Sequence, residues 1–257
     1  MREQLDQLEG FVVVIVAGAL LLLAEFFLWQ QFVIAGLLLH SAVLVLLLLL
    51  GTFRWPNPQY QLVVLTIPAL VRLLAYTLPL GDLSPLFAQV VLGVPLVLTA
   101  VSLSWVLEQP SLPIQATWRH LPYYLLLLLA GAGGGLLLYQ IQQPAPLLWD
   151  TPWLLLFYLF VLIVVMAGLE EWLFRGVMQT ALDQIWGNWL WVSLTVAIFY
   201  TSLSLGQGSV LWSVSILVIA FALSSLRHLR DNLLDVWLVH SGLNVTFFLI
   251  LPYLGVG

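Results

Sequence analysis

Cysteine is absent from the 257-residue sequence. Disulfides, thiolate nucleophiles and thiolate metal sites are therefore excluded, and cysteine usage says nothing of the redox compartment. Lysine is absent too, so all seven basic residues are arginine. Charge of either sign is scarce, at 7% of residues against 62% hydrophobic. A chain of that composition cannot present a charged surface to water all round, and it reads as a polytopic membrane protein with membrane lipid as its solvent. Twelve acids and seven arginines, scattered along the chain, are too few to bind nucleic acid or to form a polybasic lipid switch. The first ten residues carry three acids and lack the basic region and cleavage site of a signal peptide. The first apolar run is accordingly expected to be retained as a helix.

What the chain has in abundance is long apolar runs and aromatic rings, with 12 Trp, 13 Phe and 8 Tyr, and amphipathic rings collect at the headgroup level. A bilayer core needs about 20 apolar residues per helix. On that ruler the spans fall near 11–29, 32–50, 60–79, 84–107, 121–139, 153–178, 188–205, 209–226 and 233–251. Only Trp29-Gln30-Gln31 separates the first two, so the expectation is an all-α fold with eight or nine transmembrane helices. These runs are too long and continuous for barrel strands, and only helices or closed barrels satisfy backbone polar groups in lipid.

With nine spans, Arg2, Arg54, Arg119, Arg227 and Arg230 fall on one side together with the N-terminus. The opposite loops, around Gln30, Gly81, Gln142 to Asp150 and Gly206 to Gly208, contain no arginine. The positive-inside rule then predicts a cytoplasmic N-terminus and an external C-terminus. Gly131, Gly133, Gly134 and Gly135 read as a helix-packing stretch, since small residues let backbones meet in lipid. They lack the Lys-Ser/Thr and strand-to-helix context of a phosphate loop.

Against this apolar background, Glu170, Glu171 and Arg175 stand within six residues. Each costs about 2.5–3.5 kcal/mol in the membrane on insertion scales, so such groups persist where they are paired, face a cavity or carry chemistry. Glu171 and Arg175 are four apart and share a helical face, with the acid in the better N-terminal position for an ion pair. Glu170 lies about 100° round the helix. One Glu is thus held by Arg175 while the other points into a cavity, where a carboxylate can serve as general base on water. The bland alternative is an ion network that only locks helices together. In the last span His240 and Asn244 are also four apart, with Gly242 thinning the helix beside them. That pair suits metal coordination, oxyanion stabilisation or a plain interhelical hydrogen bond. Glu25 and His40 read as partners across the first hairpin. Arg72 reads as pairing with a carboxylate or snorkelling to an interface. His120 and His228, beside Arg119 and Arg227, read as solvated surface side chains.

The order Glu170-Glu171-x-x-x-Arg175, an apolar helix around Phe199, a further helix, and His240-x-x-x-Asn244 resembles the CAAX prenyl endopeptidase and bacteriocin-processing family of intramembrane proteases, abbreviated CPBP or Abi. Phe174-Arg175-Gly176 after the two Glu is also typical, and the resemblance covers roughly residues 120–252. It implies N-terminal transmembrane helices over 1–120 and a CPBP-like core over 121–257. It implies further a buried cavity in which Glu170 or Glu171 activates water, with Arg175, His240 and Asn244 completing the catalytic set. In the metalloprotease account, Glu170, Glu171 and His240 hold a divalent metal such as zinc. The departure is Leu203, which stands where the family pattern Phe-x-x-x-His places a catalytic His. Leu can neither bind a metal nor move a proton, and Tyr200, Ser202 or Ser204 do not replace imidazole near neutral pH. Two functions follow. One is hydrolysis of peptide bonds in a membrane-associated protein, and the other is a catalytically impaired relative that binds or assembles a membrane partner. An ion path is the third reading, and the absence of an inverted repeat or paired broken helices stands against it.

Overall fold

The computed structural model describes residues 2–53, 58–78, 85–108, 114–145, 153–205 and 208–254, with side chains left out at 2–8, 58–60, 85–90 and 153–155. Arg54, Gly81, Asp150 and Gly206 from the sequence-based loops lie outside the described residues. All regular structure is helical: α1 (Arg2–Trp29), α2 (Val33–Phe53), a 3-10 stretch (Pro58–Leu65) running into α3 (Thr66–Thr77), α4 (Pro85–Val106), α5 (Leu121–Ile141), α6 (Trp153–Glu171), a π-helical stretch (Trp172–Met178), α7 (Gln179–Trp186), α8 (Trp189–Ser202), α9 (Val210–Arg230), α10 (Leu233–Asn244), a second π-helical stretch (Val245–Ile250) and α11 (Leu251–Leu254). Pro58–Leu65 with α3, α6 to α7, and α10 to α11 each run without a break, so the described residues form nine helical runs.

The chain is an all-α, multi-pass membrane protein. Among the described residues, six helical runs are long and apolar enough to cross a bilayer: Glu9–Trp29, Val33–Phe53, Trp118–Ile141, Leu156–Trp186, Val210–Arg230 and Leu233–Leu254. Of the other three runs, 58–77 and Pro85–Val106 lie close to the expected 60–79 and 84–107, whereas Trp189–Ser202 is shorter than the expected 188–205. In α8 the limits are local: Asn188 caps its start by accepting from the backbone N–H groups of Leu190 and Trp191, and Leu203 to Leu205 close its end as a turn. Ser209 and Asn232 cap α9 and α10 in the same way, each supplying a side-chain oxygen to an otherwise unpaired N–H. Outward-facing Leu126, Leu129 and Leu137 on α5 are exposed, as a lipid-contacting face requires.

One apolar cluster runs from Val14 on α1 through Leu47, Ile67 and Leu96 to Phe174, Val196 and Phe199. The N-terminal helices therefore pack directly on the helices carrying the first two motif positions. A second cluster joins Leu138 and Tyr139 of α5 to Trp212, Leu243 and Phe247. There the glycine stretch is decisive. A Cβ at Gly131 would collide with the Val239 carbonyl, one at Gly135 would lie 2.5 Å from the Leu243 carbonyl, and one at Gly242 would collide with the Leu128 carbonyl. Gly133 faces open space. The α5–α10 contact is thus backbone against backbone, and it fixes the helix bearing His240 and Asn244.

Polar contacts gather the chain's segments at one end of the bundle. Gln115 and Asn232 exchange hydrogen bonds, Tyr123 and Arg230 both reach Asp235, His228 stacks on Trp189, Gln61 meets Gln184, and Phe11 packs edge-on against Trp186. Arg119, Arg227 and Arg230 therefore share an end with the start of the described apolar part of α1. His120 and His228 are exposed, as expected, but the neighbouring Arg227 is not. Arg227 is buried and ion-paired with Asp231, because it lies on the face of α9 turned towards α7.

Candidate active site

The site is built on four helices around a cavity of about 430 Å³. Its walls are largely leucine, isoleucine, valine and phenylalanine, with Glu170, Tyr200, Ser204, His240, Asn244 and Arg72 as polar members. α3 borders it through Arg72, α4 through Leu92 and Leu96, and α8 through Tyr200.

Glu170 and Glu171 are adjacent in the chain and occupy opposite environments. Glu171 has 0% exposure. Its Oε1 accepts from Arg175 Nη1 at 3.1 Å and lies 2.6 Å from His240 Nδ1. A carboxylate already paired with a guanidinium acts as an acceptor, so His240 Nδ1 carries the hydrogen in that contact. Arg175, also at 0% exposure, is held further by the Ala220 carbonyl at 3.1 Å, by Ser224 Oγ at 3.4 Å and by the face of the Tyr200 ring at 4.6 Å. Gln179 continues this edge by donating to the Ser224 carbonyl. A fully buried guanidinium is tolerated only with its donors satisfied, and here α9 supplies half the partners.

Glu170 keeps 35% of its side chain exposed and borders the cavity. Tyr200 donates to its Oε2 at 2.8 Å, and His240 Nε2 lies 3.8 Å from the same oxygen. Tyr200 also packs edge-on against Phe174 and His240. The imidazole therefore sits between two carboxylates, with the sealed one at Nδ1 and the cavity-facing one near Nε2. Asn244 borders the same cavity, one helical turn beyond His240. All five residues singled out for catalysis are thus brought to one place, with Glu170, His240 and Asn244 on the cavity wall and Glu171 and Arg175 sealed behind them. The chain passes into π-helical turns directly after Glu171 and directly after Asn244, at Trp172 and at Val245, and the first of them carries Arg175, a distortion that recurs at functional sites.

Leu203 also borders the cavity, packs against the apolar core, and offers its backbone carbonyl to Arg72 Nη2 at 2.8 Å. Arg72 forms a two-pronged pair with Glu25, at 2.7 Å on each arm, and His40 Nε2 stands 3.3 Å from Glu25. The two pairings read separately from the sequence are one buried cluster, and it reaches the end of α8. The metal expectation fares differently. Among the described residues no group of three His, Cys, Asp or Glu is arranged to hold an ion. Glu171 is committed to Arg175 and His240 Nδ1, which leaves Glu170 and His240 Nε2 as the carboxylate and imidazole donors, and Leu203 adds no second imidazole. The set Glu170, Glu171 and His240 therefore does not fit a metal centre.

Sequence reasoning passed over Tyr200 as a partner of Glu170, and Gln179, Ala220 and Ser224 as the housing of Arg175. The Tyr200 signal was present, since a phenol one turn before Leu203 shares its helical face. The contributions of α9 carried none, because a backbone carbonyl has no sequence signature.

Fold and site together define a membrane-embedded helical protein with a paired-glutamate centre. Residues 151–246, which contain every motif position, match the family model described as Rce1-like, type II CAAX prenyl endopeptidase Rce1-like, so this segment is similar to the CAAX-protease-like proteins of the CPBP family. The match leaves α1 to α5 outside it. No curated protein and no solved structure matches the chain.

Proposed function

We propose that the protein hydrolyses a peptide bond of a membrane-associated polypeptide, with Glu170 as general base on a water in the cavity. The observation that carries this reading is the division of labour between the two acids. Glu171 is sealed and neutralised by Arg175, while Glu170 is open to the cavity, oriented by Tyr200 and close to His240 Nε2. A base must lie within hydrogen-bonding reach of the water it deprotonates, and only Glu170 of the pair meets that requirement. Attack on the scissile carbonyl places negative charge on its oxygen. His240 in its doubly protonated form and the Asn244 amide are the donors available to that oxygen. Glu170 then passes the proton to the leaving nitrogen as the C–N bond breaks. The apolar walls suit a lipid-attached or transmembrane segment, whose side chains lose nothing by leaving the bilayer.

One observation favours a second reading, a catalytically impaired relative that binds or assembles a membrane protein: Leu203 lines the cavity where the family places an imidazole. Purified protein in lipid vesicles, given lipid-modified and transmembrane peptides, separates the two. Cleavage that falls by about 10²-fold or more in Glu170→Gln supports the hydrolase, that being the usual contribution of a general base. Peptide binding without cleavage in the unaltered protein supports the impaired relative.

A further inference from the structure

A second pocket of about 290 Å³ lies behind the site, and all eight residues lining it are polar or charged. Arg175 lies at its inner wall, with Gln179, Thr180, Asp183, Arg227 and Asp231 among the others. It sits at the arginine-bearing end of the bundle, where His228 stacks on Trp189 and Gln184 meets Gln61. From these features we infer that the pocket is an aqueous inlet that hydrates the Glu171–Arg175–His240 chain from the side opposite the apolar cavity.

Two buried side chains carry the inference. Gln179 is 2% exposed and its Oε1 accepts no hydrogen bond, although its Nε2 is satisfied by the Ser224 carbonyl. Arg227 is 8% exposed and its Nε donates none, although its Nη1 is paired with Asp231. An unpaired buried polar atom costs about 1–3 kcal/mol, so a native structure rarely leaves one unsatisfied. One of these atoms is an acceptor and the other a donor, and both belong to the lining of the same polar pocket. Water is the small ligand that serves both. A site needs roughly 30 Å³ per water in liquid-like packing and two to four polar partners, and this pocket offers room for several waters. A dedicated anion site fits less well, because Asp183 and Asp231 offset the two arginines. The consequence is that Arg175 keeps its charge inside the membrane by contact with a hydrated space as well as with Glu171. The ion chain then separates an apolar chamber from an aqueous one.

The absence of native cysteine makes a direct test possible. Gln179→Cys, Thr180→Cys and Leu126→Cys, the last on the exposed face of α5, are reconstituted in sealed vesicles of one orientation. Each is then treated with a charged, membrane-impermeant thiol reagent from either side. Only a hydrated thiol ionises and reacts. The expected result is labelling at 179 and 180 at least roughly tenfold faster than at 126, only from the side bearing Arg119, and slowed at 179 by a second change, Thr180→Trp. Labelling at 179 as slow as at 126, or from the other side, overturns the inlet. Water-to-protein magnetisation transfer in solid-state NMR probes the same hydration in the unaltered protein. Strong early transfer to the Gln179 amide supports the inlet, and transfer no faster than for Leu126 overturns it. Neither measurement depends on whether the protein cleaves peptides.

Discussion

At the scale of the residue, the pairing of Glu171 with Arg175 can be tested by removing one partner. Both are fully buried, so Glu171→Ala leaves a guanidinium with an unmatched charge and is expected to cost about 3–5 kcal/mol. Glu171→Gln keeps a hydrogen-bonding oxygen and is expected to cost less. Thermal unfolding in detergent ranks the two, and equal melting of both variants and the parent would mean that Arg175 draws its stability from Ala220, Ser224 and the inlet instead. Leu203 is the other residue whose chemistry decides something. Leu203→His places an imidazole on the cavity wall that also holds Glu170 and His240, supplying the second imidazole the present set lacks. Divalent-metal binding by calorimetry is expected to be weak in the parent and to strengthen in this variant, and peptide cleavage is expected to rise if the missing His limits the rate. Robust cleavage by the parent that vanishes in Glu170→Gln would show that the chemistry runs without it.

At the scale of the element, the motif residues are placed by helix contacts more than by their own helices. Gly131, Gly135 and Gly242 let α5 and α10 meet backbone to backbone, and Trp237 covers Gly168 while donating to the Val164 carbonyl of α6. These contacts set the depth and rotation of His240 relative to Glu171. Gly131→Leu and Gly133→Leu form a matched pair. The first forces a side chain into the Val239 carbonyl and is expected to lower stability by about 1–3 kcal/mol or more through overpacking, whereas the second extends into open space and should melt close to the parent. The sequence announced a packing helix through four small residues, but could not say that Gly133 points away. It also predicted helix through both motifs and could not show the π-helical turns, because a one-residue change in hydrogen-bond register leaves no mark on apolar periodicity.

At the scale of the whole molecule, the segments that contain Arg119, Arg227 and Arg230 meet at one end, and under the positive-inside rule that end is expected to face the cytoplasm. Reporter fusions at Gly257 and in the 109–119 connector should give opposite signals, and matching signals would refute a nine-pass topology. The membrane class and the all-α fold were legible in composition alone, because bilayer thickness sets the length of an apolar run and the cost of an unpaired backbone group excludes other architectures. The candidate residues were legible for a related reason. A charge in hydrocarbon is expensive enough that Glu170, Glu171, Arg175 and His240 stand out against their surroundings. Which Glu is sealed and which is open, the union of Glu25, His40 and Arg72 with the end of α8, the burial of Arg227 and the polar pocket behind Arg175 were settled only by the tertiary structure. Each depends on where a partner from a distant helix, often a backbone carbonyl, comes to lie, and spacing along one helix fixes which residues share a face without fixing what that face meets.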